Sequence, residues 1–544
     1  MMIENGNLMQ RYYLNVNCGV GQMNSKEENM PYKADSLLEE MAYHRIHVSL
    51  AYSNISTNYS FTKGNRELLA ETGKGKRLLG MAVVMPGLQY EVKEGFAYID
   101  DLLAQGVKAV KIYPRSFNHG FDPFTNQKLA NNLTERNIPL FIDYTQFNWR
   151  ELRENLEAYK ELNVVVCNVP FIDNRYLFAL MENYNNLYFD IGSKQINDLL
   201  EICKKHFGIE RVLFGTDYPF KNIGGFKAVI EYSSLNDADK DLVAYKNAMK
   251  LLNINPGILE KYKDNECKLD EIALAADAGN PVNNFFIIDS HAHLLDKKEQ
   301  SVNCYIMHNS DEDSIIHKMN RIGINQILFS SFEGLTTDSL SANKTSLEAM
   351  KKYNGRIKAY STFNPNYPED LDEIINIYHK KNNFIGLKPY WPCHKYDLLG
   401  EKYEKWYEYG NINKLIMLVH TETGSSEITT AKVEQLALKY RDMAFILAHS
   451  DMSYEVAKNN IKSANKMNNI YLEITLTYLF GILEFLVESA GADKILFGTD
   501  LPILDPAPQF AHIAYSRISI ADKKKILGEN INKLLRRCYN NHGQ

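Results

Sequence analysis

Residues 211–219 read Arg-Val-Leu-Phe-Gly-Thr-Asp-Tyr-Pro, and residues 494–502 repeat them as Lys-Ile-Leu-Phe-Gly-Thr-Asp-Leu-Pro. A repeat at half the chain length constrains the fold more than any local motif, because both copies must build the same unit. Other landmarks keep register with it. Asp190 and Glu473 each stand 27 residues before the repeated Asp217 and Asp500. Asp239-Lys240 with Asn247 parallels Asp522-Lys523 with Asn530. Upstream, Asn15-Val-Asn17 stands where His291-Ala-His293 stands; Lys111 and Lys388 follow those starts by 96 and 97 residues, Asp143 and His420 by 128 and 129. Landmarks held in step over two hundred residues mark a tandem duplication.

Within the second copy, short β-rich runs alternate with amphipathic helical patterns such as Leu371–Lys380 and Val433–Tyr440. The expected strands are Phe286–Asp289, Gln326–Ser330, Ile357–Thr362, Phe384–Lys388, Leu415–His420, Ala444–His449, Tyr471–Ile474 and Ile495–Gly498. Eight strand–helix units in about 250 residues point to an α/β chain of two tandem (β/α)₈ TIM-like barrels. The expected organisation is a first barrel over 1–252, a linker with a short helix over 253–284, and a second barrel over 285–544. The linker is marked by Pro256, a charged run at Lys261–Glu266 and Gly279-Asn-Pro281.

Of the 544 residues, 45% are hydrophobic and 24% charged, with a net charge of −6. So small an acidic excess gives no electrostatic reason to expect nucleic acid or an anionic membrane as partner. No apolar run is long enough for a membrane span, and Met1–Gln10 is polar with no secretory h-region. The seven cysteines are scattered, so a reduced, cytoplasmic chain with a small-molecule substrate is expected. Barrel-to-barrel pairing within the chain is expected too, and further oligomerisation is left open.

Chemistry in such barrels sits at the C-terminal strand ends. There the second copy places His291-x-His293 (strand 1), Lys388 (strand 4), His420 (strand 5), His449 (strand 6) and Asp500 (strand 8). In extended backbone residues i and i+2 share a face, so both imidazoles of His291 and His293 can meet one metal. Each residue alone has an ordinary reading: a buried, satisfied histidine, a surface lysine, or an Asp that caps the next helix. Together they converge on one barrel end in an order that supplies a complete metal site.

Asp289-Ser-His291-Ala-His293, Gly386-Leu-Lys388-Pro, the two strand-end histidines and Gly498-Thr-Asp500-Leu-Pro502 resemble the amidohydrolase superfamily. The resemblance is in particular to its amidohydrolase-related branch, which includes aminocarboxymuconate-semialdehyde decarboxylase and several ring-product hydrolases. It covers nearly all of Phe285–Arg537. The resemblance implies His291, His293, His420 and Asp500 as ligands of one divalent metal, with zinc suited to these ligand types. It implies catalytic roles for Asp500 as proton carrier, for His449 at the substrate carbonyl and for Lys388 at the same centre. Lys388 leaves a fork: binuclear relatives carbamylate this lysine to bridge two metals, whereas in the mononuclear branch it is no ligand. The implied function is a metal-dependent hydrolase of a small cytosolic amide, lactone or ester. A non-oxidative decarboxylase or hydratase of an unsaturated or aromatic acid is the alternative, and an inert binding or scaffold protein is the non-enzymatic one.

The first copy has Asn15, Asn17, Asp143, Asn168 and Asp217 where the second has His291, His293, His420, His449 and Asp500, and keeps Lys111. Asn is a poor zinc ligand. Three readings stay open for it: a degenerate barrel kept for packing, a metal-free pocket using Lys111, Asp143 and Asp217, or a hard-cation site. Arg321, Arg356 and Arg441 precede strands of the second copy, while Arg115 lies in a mouth loop of the first. A carboxylate substrate would therefore be clamped by a lysine of the second copy or by Arg115. The aromatic loop Pro389–His394 is expected to line the pocket or to pack on its neighbour.

Overall fold

The computed structural model describes residues 11–27, 30–72, 77–193, 195–260, 268–297, 299–421, 426–476 and 478–539. Two compact units divide the chain. One comprises 1–195 and 199–269; the other comprises 196–198 and 270–544. The division falls inside the segment read as a linker, where short helices run over Gly257–Glu260 and Glu271–Asp277. Asp270 caps the latter, its side chain accepting from the N–H groups of Ile272 and Ala273.

The first unit carries β1 (Leu14–Val20), β2 (Val48–Ser53), β3 (Leu78–Val83), β4 (Val107–Ile112), β5 (Leu140–Asp143), β6 (Val164–Cys167), β7 (Leu187–Asp190) and β8 (Val212–Leu213). The second carries β9 (Ile287–Leu294), β10 (Ile324–Ser331), β11 (Ile357–Ser361), β12 (Gly386–Leu387), β13 (Ile416–His420), β14 (Ala444–Ala448), β15 (Ile470–Ile474) and β16 (Ile495–Phe497). In each set every strand pairs in parallel with the next, in sequence order. Intervening helices cover the sheet, so the strands are near-continuous apolar runs, as in Ala444–Ala448, where all five residues are buried. The last strand region returns to the first. In the first unit Val16 N–H donates to Phe214 O (2.9 Å) and Asp217 N–H to Asn17 O (3.0 Å). In the second, His293 N–H donates to Leu501 O (2.7 Å) and Asp500 N–H to His291 O (2.9 Å). The chain is two tandem (β/α)₈ barrels, as the alternating pattern predicts.

One strand departs from expectation in a way that matters for chemistry. β9 does not stop at Asp289. It runs through His291 and His293 to Leu294, because β10 continues beside it and pairs Phe329, Ser330 and Ser331 with Ala292, His293 and Leu294. The two histidines are thus fixed inside a strand rather than on a loop after it. Among the described residues no helix is long and apolar enough to cross a membrane.

Candidate metal centre

Closure of the second barrel brings the end of β16 against β9, and with it Asp500 against His291 and His293. The Nε2 atoms of His293 and His291 stand 3.0 Å and 3.7 Å from Asp500 Oδ1. The ligand atoms of His291, His293 and Asp500 lie within 4.8 Å of one another, and so do those of His291, His449 and Glu473. His291, His293, Lys388, His420, His449 and Asp500 are all buried. His449 and Asp500 have positive φ, 57° and 61°. Such backbone is costly for residues other than glycine and is held only where the surroundings over-determine it.

His420 sits in the same chamber, its ring 4.9 Å from that of His449 between centroids. It belongs to neither of the two tight ligand groups among the described residues. The structure therefore gathers three of the four expected ligands closely and leaves His420 farther out. Lys388 Nζ lies 3.1 Å from His291 Nε2, on the side of the imidazole that faces Asp500. Burial lowers its pKa to about 8, against the pull of Asp500 and Glu473.

Glu473 is the residue to which the sequence reading gave no role. It is fully buried at the end of β15. Its Oε2 accepts the backbone N–H of His449 at 3.1 Å and faces His291 Nδ1 at 3.1 Å. An acceptor there sets the proton of His291 on Nδ1 and leaves the Nε2 lone pair for a cation. Gly498 makes this possible. A Cβ at residue 498 would lie 2.1 Å from Glu473 Oε1 and 2.8 Å from His291 Cβ. The signal was present in the sequence, since both copies place a carboxylate 27 residues before the repeated Asp.

Asp289, behind His291, accepts from Thr499 Oγ1 and from the His291 N–H. Burial raises its pKa to about 7. Asp500 goes the other way. Burial would raise it, but the His293 imidazole beside it and the charges of His449 and Lys388 outweigh that and hold it at about 2. Burial, with His449 and Lys388, pushes His420 well below the usual imidazole range, and burial with Lys388 does the same to His291.

These residues fit a divalent cation. Asp500 Oδ1 is buried without a hydrogen-bond partner among the described residues, although His293 Nε2 stands 3.0 Å away. A carboxylate oxygen and two imidazole nitrogens converging in a buried chamber are an arrangement of ligands suited to one cation. Carboxyl groups outnumber amines here: Asp289, Asp451, Glu473 and Asp500 are buried at this end along with Lys388. Aromatic rings wall the chamber. Phe332 stands edge-on to His293 at 5.5 Å, and Tyr390 edge-on to His420 at 5.2 Å. Of the aromatic loop, then, Tyr390 meets the site. Trp391 begins a short helix, Trp391–His394, in which His394 is buried.

At the equivalent end of the first barrel no such group of ligand atoms forms among the described residues. Asn15 Nδ2 donates to Thr216 Oγ1 (2.6 Å), Lys111 Nζ to Asn17 Oδ1 (2.9 Å) and Asn168 Nδ2 to Asp143 Oδ2 (2.7 Å). Asn168 and Asp217 keep the positive φ of their counterparts, 62° and 56°. Arg115 donates to the Thr145 carbonyl at 3.1 Å.

A closed parallel barrel with histidines and a carboxylate gathered at its C-terminal end is the class of a (β/α)₈ metalloenzyme scaffold. More particularly, a family model described as Amidohydrolase matches residues 32–254 and again 288–537, and the chain belongs to the amidohydrolase family of enzymes. No curated protein matches the sequence. Among solved structures, the chain is similar to 5-carboxyvanillate decarboxylase of Novosphingobium aromaticivorans, crystallised with manganese (13% identity, 47% of this chain and 99% of that chain, TM-score 0.39). It is similar also to 2,6-dihydroxybenzoate decarboxylase from Rhizobium (14%, 46% and 99%, TM-score 0.36). A third is a probable 2-pyrone-4,6-dicarboxylic acid hydrolase from Acinetobacter baumannii with citric acid bound (15%, 44% and 99%, TM-score 0.34).

Proposed function

We propose that the second barrel is a metal-dependent hydrolase of a small metabolite bearing an amide, lactone or ester. The observation that carries the reading is the convergence of His291 Nε2, His293 Nε2 and Asp500 Oδ1 on one buried point. His291, His293 and Asp500 would hold the ion, with His420 completing the set and zinc as the ion suited to these donors. A divalent ion held there supplies a Lewis acid and a water acidified from 15.7 to about 7. The protein's own residues do the rest. Glu473 keeps the His291 proton on Nδ1 and so aims Nε2 inward. Asp500 takes and returns a proton at its carboxylate oxygen, and His449, adjoining both His291 and His420, donates to the developing oxyanion. Lys388 Nζ stands 3.1 Å from His291 Nε2, so in a one-metal centre its amine would have to give up this contact to the ion; if carbamylated, Lys388 would instead supply ligand oxygens to a two-metal centre.

A second reading is favoured by the Phe332 and Tyr390 rings beside the histidines, which suit a planar unsaturated acid: non-oxidative decarboxylation at the same centre. Carbon dioxide release from candidate aromatic acids, set against hydrolysis of lactones and amides, separates the two. Elemental analysis of the purified chain tests their common basis. One zinc-like ion per chain is expected, lost in His291→Ala with a fall in turnover of at least about 10³-fold. A chain that takes up no ion from metal-supplemented medium overturns the reading.

A further inference from the structure

The first barrel is matched by the same family model, yet its strand-end residues do not fit a divalent ion. Two of the four ligand positions hold amides, Asn15 and Asn17, and a third amide, Asn168, stands where the second barrel has His449; each is already engaged, Asn15 with Thr216, Asn17 with Lys111 and Asn168 with Asp143. Of the two carboxylates at ligand positions, Asp143 accepts from Asn168 and Asp217 has a cation of its own. Lys221 Nζ lies 3.1 Å from Asp217 Oδ2, 3.2 Å from Asn168 Oδ1 and 2.7 Å from the carbonyl oxygen of Gly192. An ammonium has three protons to give, and three oxygens surround this one.

The sequence register shows where this cation came from. Lys221 stands four residues after Asp217; four residues after Asp500 the second copy has Leu504, buried and apolar. A leucine there leaves Asp500 facing His293 and His291, whereas a lysine there turns an ammonium back onto the aspartate. The charge balance of the two ends differs accordingly. Asp143, Asp190 and Asp217 face two ammonium groups, Lys111 and Lys221, in the first barrel. Lys111 is buried, pairs with Asn17 and lies 4.2 Å over the Tyr52 ring.

We propose that Lys221 is the built-in cation of the first barrel: its ammonium holds Asp217, Asn168 and the Gly192 carbonyl together and neutralises the aspartate that would otherwise ligate a metal ion, so that this barrel is metal-independent. The inference concerns the first barrel alone and stands apart from the reading of the second. It argues against the hard-cation alternative, since Asn17 Oδ1, Asp143 Oδ2, Asn168 Oδ1 and Asp217 Oδ2 already face nitrogen donors.

Two measurements on the full chain test it. The first is the metal content of a His291→Ala/Asp500→Asn chain after equilibration with manganese and with zinc and removal of free ion. No bound ion is expected, and one equivalent retained overturns the proposal. The second is peptide-resolved hydrogen exchange across 187–222 in Lys221→Met, which keeps the stem and loses the charge, and in Lys221→Arg. The Met variant should lose roughly tenfold or more of its protection there, because it leaves the half-buried Asp217 and the Gly192 carbonyl without their donor, while the Arg variant keeps most of it. Equal protection in the Met variant and the natural chain overturns the proposal, and it does so whatever the second barrel binds.

Discussion

At the scale of single residues, the same side-chain type has different tasks according to what it faces. His291 has its Nδ1 against Glu473 and its Nε2 in the chamber. His379, equally buried, has both nitrogens engaged away from it: Nδ1 faces Phe384 O at 3.0 Å and Nε2 faces Ser361 Oγ at 2.7 Å. Burial lowers the His379 pKa from 6.5 to about 4. The unfolded chain therefore takes up this proton near pH 6.5 and the folded chain only near pH 4. The contribution is whole above pH 6.5 and is lost as pH falls toward 4, up to about 3 kcal/mol. His379→Gln should flatten the fall of the urea midpoint between pH 6.5 and 4 relative to the natural chain; parallel curves would show that His379 is not the group responsible. The candidate ligands were legible in the sequence because histidines recur where the other copy has Asn15, Asn17, Asp143 and Asn168. Glu473 was visible only as a landmark, since nothing in a linear spacing shows that its carboxylate turns back under His291.

At the scale of elements, the strand ends decide what the site can be. β9 runs three residues beyond His291 because β10 keeps pairing with it, and that pairing fixes the spacing of the two imidazoles more firmly than a loop could. β16 stops at Phe497, and Gly498 then lets Glu473 and His291 close over the backbone. Gly498→Ala should cost about 1–3 kcal/mol through overpacking and weaken metal retention by about 10–100-fold by displacing Glu473. A variant as stable and as metal-replete as the natural chain would show that the contact relaxes freely. Strand positions were readable from apolar runs between helical patterns. Their limits were not, since the end of a strand depends on whether its neighbour still offers hydrogen bonds: β12 keeps only Gly386 and Leu387 of the expected Phe384–Lys388.

At the scale of the whole molecule, two units of one family differ in what neutralises the carboxylates at their strand ends. If the second depends on a bound ion and the first on Lys221, a chelator should separate them. Stripping divalent ions is expected to lower the stability of the 270–544 unit by about 3 kcal/mol for an ion present at a hundred times its dissociation constant, and to leave the 1–269 unit unchanged, as read by hydrogen exchange resolved over both. Equal loss in both units, or in neither, contradicts that division. The sequence by itself determined the duplication, the barrel class and the residues worth watching, because repeat spacing and the apolar period are properties of the chain in order. Only the tertiary structure decided which of those residues meet. Whether Asp500 faces His293 or Asp217 faces Lys221 depends on barrel closure and on one side chain four positions on, and the distances that closure sets are not written in any local run of residues.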